Sequence, residues 1–386
     1  MGAIRQKEEI TTAYLNEEQL AWCDMHLEEA QELLRTLGRI PAPSHDEGRR
    51  AAFVRNWLAA AGAENVRIDE AQNVVYTVRD EGGPVNIIMA HTDIVFPDTE
   101  PLAMREENGR LYAPGIGDDT ANLVNLMMAA KYLIENGVPA GGNLVIVANS
   151  CEEGLGNLKG SRRIMETYSG RVEEFISLDG GLGHIVNDAV GSVRMRVTIN
   201  AQGGHSYNNF GNTNAIAQMS ELVTELYKKK APAGGTYNVG VIEGGTTVNS
   251  ICARCSMLCE YRYGTRAAQE DLAAYFEKTI RDFREKGFDI LVETLGIRPC
   301  ADNVDDVKLA SLTTRMAAIQ KEYTGWDCRI TAGSTDANSA LSLGVPAVTF
   351  GTVSGEGAHT RGEWVEMASM RTGLKVALAA VLTQIG

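Results

Sequence analysis

The sequence predicts an α/β protein: a mostly parallel sheet with helices on both faces, interrupted by a smaller ferredoxin-like α+β domain. Three observations carry that reading. Short apolar runs such as Val85 to Ala90 and Leu144 to Ala148 alternate with helical periodicity, the pattern of a parallel sheet covered on both sides. From near Val190 to Pro299 the order becomes β-α-β-β-α-β, that of a compact ferredoxin-like unit. After Pro299 the α/β pattern resumes. At 386 residues the chain exceeds one ordinary core, so the expected division is residues 1–189, an inserted domain over 190–299, and 300–386 completing the first domain.

Taken in order, Glu17 to Leu37 reads as one amphipathic helix, and Pro41-Ala42-Pro43 breaks the chain. Ser44-His45-Asp46-Glu47 has the form of a capping box opening a helix through Ala61. Short strands are expected at Val66 to Ile68 and Val74 to Val78, then the strand ending at His91. Ala121 to Glu135 reads as a helix, Leu144 to Ala148 as a buried strand, and Leu158 to Tyr168 as a helix. Phe175 to Leu178 is a further buried strand, stopped by Asp179-Gly180-Gly181. In the inserted unit, strands are expected at Val193 to Ile199, Thr236 to Ile242, Val248 to Tyr261 and Asp289 to Leu295. Its helices run from Thr213 to Tyr227 and from Arg266 to Lys286. Helix Val307 to Tyr323, strand Cys328 to Thr331, a helix from Asp336, strand Ala347 to Phe350 and a helix from Glu366 close the chain.

Composition excludes several classes. A formal net charge of −14 lacks the basic face that nucleic-acid binding needs. No run of about 18 apolar residues is present, so no membrane span is expected. The polar start, Met1 to Glu9, has no apolar signal-peptide core, and a cytoplasmic location is expected. The seven cysteines are scattered and odd in number, which suits reduced thiols better than a disulfide framework. Cys252, Cys255 and Cys259 suggest a zinc ribbon at first sight. On a strand, however, residues three apart face opposite sides, and no second cysteine pair completes such a site.

The chemistry concentrates where apolar strands end. Val85 to Ala90 delivers His91-Thr92-Asp93 to a carboxyl edge, where open α/β sheets place their ligand sites. Gly115-Ile116-Gly117-Asp118-Asp119 precedes a helix, where acids also serve as plain N-caps. Cys151-Glu152-Glu153-Gly154 and Leu178-Asp179-Gly180-Gly181 follow buried strands, and Gly357-Ala358-His359-Thr360 follows Phe350-Gly351. Each is an ordinary turn alone. Together they gather two histidines and several acids at one sheet edge. Imidazole and carboxylate donors suit zinc, manganese or cobalt, and a carboxylate left free of metal can act as a general base.

With these motifs in this order, the chain resembles the M20 family of dizinc metallopeptidases and amidohydrolases, most of all its peptidase T-like branch. The resemblance covers nearly the whole sequence. It implies two divalent metal ions per chain, zinc with manganese or cobalt as alternatives. His91 and Asp179 would hold the first, Glu153 and His359 the second. Asp118 would bridge them, followed by a cis peptide bond. Asp93 would support His91, Glu152 would be the general base, and Glu363 falls at an acid that often follows the terminal histidine. Gly203-Gly204-His205-Ser206 with Asn214-Ala215-Ile216 is similar to the segment whose histidine crosses a dimer interface. A homodimer through the inserted lid domain is therefore implied, with His205 stabilising the oxyanion in the partner's site. Asn249 and Arg262 resemble the family's substrate-binding asparagine and arginine. Gly333, opening the turn through Asn338, joins them as a substrate-binding candidate.

The implied activity is hydrolysis of a peptide or amide bond in a small peptide or N-acyl amino acid, by a water bridging the two ions. Thr120 stands where the family often has lysine, and Cys252 where it usually has proline. Both bear on the subgroup and not on the reaction. Asp179 with two glycines after it points to the peptidase T branch, hence to an aminopeptidase. An N-acyl-amino-acid deacylase or carboxypeptidase stays open, as does a non-catalytic small-molecule binding protein on the same scaffold. A serine hydrolase is disfavoured because no Gly-x-Ser-x-Gly elbow exists. Nucleotide binding fails because Gly115-Ile116-Gly117 lacks the third glycine and no Gly-Lys-Ser/Thr loop occurs.

Overall fold

Eight strands build the principal sheet, in the order Val66–Ile68, Val74–Arg79, Asn143–Asn149, Val85–His91, Val172–Leu178, Ala347–Phe350, His184–Ala189, Arg329–Gly333. The computed structural model describes residues 13–386, so the polar N-terminal stretch lies outside the described residues. The four strands from Asn143–Asn149 to Ala347–Phe350 are mutually parallel. Their carboxyl ends therefore share one edge, and that edge receives His91, the Glu152 turn, Asp179 and the loop that leads to His359. Both faces of these strands are buried. Ile88 and Ala90 point into one core with helices Ala121–Asn136 and Ser369–Thr383, while Ile87 and Met89 point into another with Lys159–Thr167 and Ala337–Leu341. The period of two explains why the run reads as continuously apolar. Each fully buried isoleucine or leucine there contributes roughly 1.5–3 kcal/mol.

A second, four-stranded antiparallel sheet has the order Gly235–Gly244, Arg254–Tyr263, Gly191–Asn200, Asp289–Arg298. Helices Ala215–Leu226 and Arg266–Glu285 pack on one of its faces. Cys255, Met257, Cys259, Tyr261 and Tyr263 alternate inward from one strand. Cys255 and Cys259 are thus core residues, Cys252 is buried ahead of the strand, and all seven cysteines are free thiols.

Several expectations are corrected. The helix from Glu17 to Leu37 is two, Glu17–Met25 and Leu27–Leu37, because His26 leaves helical geometry at φ −97°, ψ 8°. Its Nδ1 lies 2.9 Å from the Trp22 carbonyl and its ring stacks on Trp22. The capping box is not formed: helix Gly48–Ala60 has no side-chain cap, since Ser44 and Glu47 turn to tertiary partners. The strand expected from Val248 to Tyr261 is broken at Cys252-Ala253, and Ser250–Ile251 pairs with Gly204–His205 instead. The strand His184–Ala189, one in from the edge, went unread, being polar at half its positions. So did the hairpin Arg105–Glu107/Arg110–Tyr112, although Asn108 and Gly109 at φ 53° and 76° are its local signal. No helix among the described residues is long and apolar enough to cross a membrane.

Candidate metal centre

His91 ends its strand with the ring fixed from behind. Its Nδ1 lies 3.0 Å from the Asp93 carbonyl and 3.4 Å from Asp93 Oδ1, which leaves Nε2 facing Asp118 Oδ1 at 3.1 Å. The Asp93 carboxylate does more than support the histidine. It accepts the backbone N–H of Glu152 at 2.9 Å, that of Glu153 at 3.0 Å, and the Ser44 hydroxyl at 2.6 Å. Burial works to raise this carboxyl, but the bond from His91, its charge, and the other donors hold it below the usual range. From the other side Glu47 accepts the N–H of Cys151, which stands in left-handed geometry at φ 58°. The two glutamates are thus aimed by buried acids on either side of their turn.

Asp118 occupies the middle. One oxygen faces His91 Nε2 and the other faces His359 Nε2, each at 3.1 Å, and Glu153 Oε1 lies 3.3 Å from the same His359 atom. The turn carrying Asp118 is clamped by Glu363, whose carboxylate accepts from Gly115, Gly117 and Asp118 N–H at 2.8, 2.7 and 2.8 Å. Gly117 leaves room for this clamp: a Cβ there would crowd it, standing 3.2 Å from Glu363 Oε1 and 3.1 Å from Val365. The Asp118–Asp119 peptide is cis. Asp119 is fully buried and otherwise engaged, accepting from His91 N–H at 2.9 Å and Asn122 at 2.7 Å. Asn122 in turn accepts from Thr352, tying the turn to the segment after Phe350.

This geometry fits divalent cations. Ligand atoms of His91, Asp118 and Glu153 lie within 4.8 Å of one another, as do those of His91, Asp119 and Asp179. Two atoms sharing a zinc-sized ion stand about 3–3.5 Å apart, which is the spacing around Asp118. The electrostatics agree. Burial, then the charge of Asp118, pushes Asp179 well above the carboxylate range, and burial pushes Glu153 up to about 7 despite His359. His359 rises to about 10 through its bonds to Asp118 and Glu153. Asp118 is raised by burial, but its bonds to His359 and His91 outweigh that and hold it low. Acids that titrate this high in one cluster mark more negative charge than the local cations balance.

A cleft of about 480 Å³ opens on the cluster, with Asp118, Glu152, Glu153, Asp179 and His359 on one side. Arg262 lines the other side with Arg194 and Arg298, on three strands of the second sheet. His205 and Asn249 are not among its lining. They are exposed neighbours on the inserted domain, where Ser206 N–H donates to the Asn249 carbonyl at 3.0 Å. Among the described residues, His205 Nδ1 accepts only from Tyr207 and Asn208 N–H, at 3.2 and 3.3 Å. Gly333 also lies off the cleft, accepting from Val190 N–H at 2.6 Å, whereas the next residue, Ser334, lines it. Arg298, Ser334, Ser44 and Glu47 were missed as site residues. No local signal marks Arg298; Ser44 and Glu47 were visible but suggested a helix cap.

A family model described as Peptidase family M20/M25/M40 matches residues 87–383. The chain belongs to that family. As a member of M20 it is a metallohydrolase. It is 24% identical over 347 residues to a succinyl-diaminopimelate desuccinylase of Corynebacterium glutamicum, covering 86% of this chain and 90% of that one. Among solved structures, aminopeptidase PepT from Bacillus cereus superposes with TM-score 0.71 at 20% identity, covering 97% of this chain and 100% of that one. A tripeptidase from Staphylococcus aureus gives 0.73 at 18% identity, with 97% and 100% covered. At such identities these two likenesses speak for the fold.

Proposed function

We propose that this M20 member hydrolyses a peptide or amide bond in a small peptide or N-acyl amino acid, with two divalent ions, zinc first among them. One observation carries the reading: a single carboxylate, Asp118, presents one oxygen to each of two imidazole Nε2 atoms. His91 and Asp179 would hold one ion, Glu153 and His359 the other, and Asp118 both. Ions held by these residues would supply polarisation of the scissile carbonyl and a lowered pKa for the attacking water. Glu152, at the cleft and outside both clusters of candidate ligand atoms, accepts the proton of that water and returns it to the leaving nitrogen. Asp93 orients both the His91 ring and the Glu152 turn. The Arg262 and Arg194 guanidiniums suit a substrate carboxylate.

His205 and Asn249 fit this scheme only across a homodimer formed through residues 190–299, each reaching the partner's cleft. Gly333 then acts through the turn that presents Ser334. The desuccinylase and peptidase names of the relatives bracket the substrate class. The test is metal content of the purified protein, then turnover of di- and tripeptides and N-acyl amino acids with added zinc, manganese or cobalt. About two ions per chain and turnover of one class are expected. Glu152→Gln should keep the ions and lose roughly 10²–10⁴-fold in kcat. Unchanged kcat in that variant would sink the assignment of the base.

A further inference from the structure

Arg298 is the last residue of the inserted domain's final strand, directly before Pro299. Its side chain is 5% exposed and that of its partner Glu152 is 7% exposed. The Nη1 atom donates to Glu152 Oε1 at 3.1 Å and to the Ser334 carbonyl at 3.0 Å, and Nη2 donates to the Glu152 carbonyl. One guanidinium therefore joins three segments: the root of the lid, the turn of the general base and the Ser334 turn. That root is itself tied to the neighbouring strands. Tyr263 Oη donates to the Arg298 carbonyl at 2.9 Å, and a Cβ on Gly191, at the entering strand, would stand 2.3 Å from the Tyr263 ring.

Cheap stability does not explain the arrangement. Among the described residues Arg298 Nε has no acceptor, although it is buried. The guanidiniums of Arg162 and Arg194 are pushed below their usual range, by burial first and by the charge of Arg298 second. Buried ion pairs are weak contributors to stability, so a buried arginine crowded by two others calls for another reason.

We propose that Arg298 is a positioning residue for the general base: by fixing Oε1 of Glu152 it turns Oε2 toward the cleft. Among the described residues no donor reaches Oε2, so that oxygen is free for the attacking water. One prong of the planar guanidinium holds the Glu152 carboxylate and the other holds the same residue's backbone carbonyl, so a single rigid group ties the side chain to its own main chain in a way that one ammonium does not. The inference rests on the reading of Glu152 given above.

The experiment is a double-mutant cycle on the metal-loaded full chain, with Arg298→Gln and Glu152→Gln alone and combined, using whichever panel substrate turns over. Arg298→Gln is expected to lower kcat on the order of 10²-fold, with KM and bound metal little changed, as for a misplaced catalytic group. Arg298→Lys should recover part of that loss. In the Glu152→Gln background the Arg298→Gln step should cost less than about twofold, because residues acting as a unit are not additive. An equal loss in both backgrounds, or a loss confined to KM, overturns the inference. If Arg298→Gln does not fold, the cycle is run with Arg298→Lys and read the same way. A Glu152→Gln enzyme of full activity overturns the general-base reading and this inference together. An inactive Glu152→Gln with additive Arg298 effects overturns this inference alone.

Discussion

The carboxyl edge of the main sheet and the His205 end of the inserted domain both offer histidine and polar side chains, but they are built differently. At the sheet edge His91 is buried, and its ring is fixed from behind by Asp93. The Glu152 turn there is held by acids far away in the chain, Asp93 and Glu47. His205 is exposed, and among the described residues its ring bonds only to backbone N–H groups two and three residues on. The first region is finished by the fold of one chain, whereas the second fixes its histidine's backbone in a short strand pair and offers the ring outward. A site whose ligands are locked by long-range bonds is preorganised for charge. A histidine whose ring is held only by N–H groups of its own loop is left open to something brought to it.

The largest effect that could break this contrast is at its centre. Asp118→Ala should remove both ions together and abolish turnover, read by metal analysis of the purified variant. Retention of one ion per chain would show that Asp118 serves a single site. Next comes the inserted domain. His205→Ala should lower kcat about 10²-fold, the scale of one lost oxyanion donor, while bound metal and Tm stay unchanged. Unaltered kcat would leave the exposed histidine without a role in the reaction.

The smallest effect is on stability against pH in metal-free protein, and its sign follows from the raised groups. Glu153 and Glu363 rise from 4.5 to about 7, burial being the first cause for each, so the folded state holds protons that the unfolded state has released. Stability therefore falls as pH rises from about 4.5 to about 7. His359 adds to the trend: stability from its raised pKa is complete below 6.5 and is lost as pH rises through about 10. That share is small, since the ring is 59% exposed. Asp93 and Asp118 act oppositely and lose their contribution only as pH falls below 3.8. Thermal melts from pH 4.5 to 8 should show a declining Tm, and added zinc should flatten the decline. A metal-free Tm that climbs through this range would contradict the charge excess inferred for the sheet edge.

Much of the fold was legible. The apolar run ending at His91 has the length and punctuation of a doubly buried strand, and it is one, Val85–His91. The inserted unit's β-α-β-β-α-β order reappears as one antiparallel sheet with two helices on a face. Where reading failed, a tertiary partner outbid a local one. Ser44 and Glu47 have capping-box spacing, yet they bond to Asp93 and to Cys151, 49 and 104 residues away. Those contacts satisfy buried donors and a buried carboxylate, which is worth more than an exposed helix cap.

By itself the sequence determined which segments form strands and helices, and which acids and histidines stand at strand ends. Periodicity and turn residues act over a few positions and are written locally. Only the tertiary structure decided that Asp118 faces both imidazoles while Asp119 is spent on backbone and Asn122. It alone joined Arg298 to Glu152 across 146 residues. Charged side chains leave no periodic trace of their partners, because attraction between them depends on distance and burial after folding, and neither is encoded in spacing along the chain.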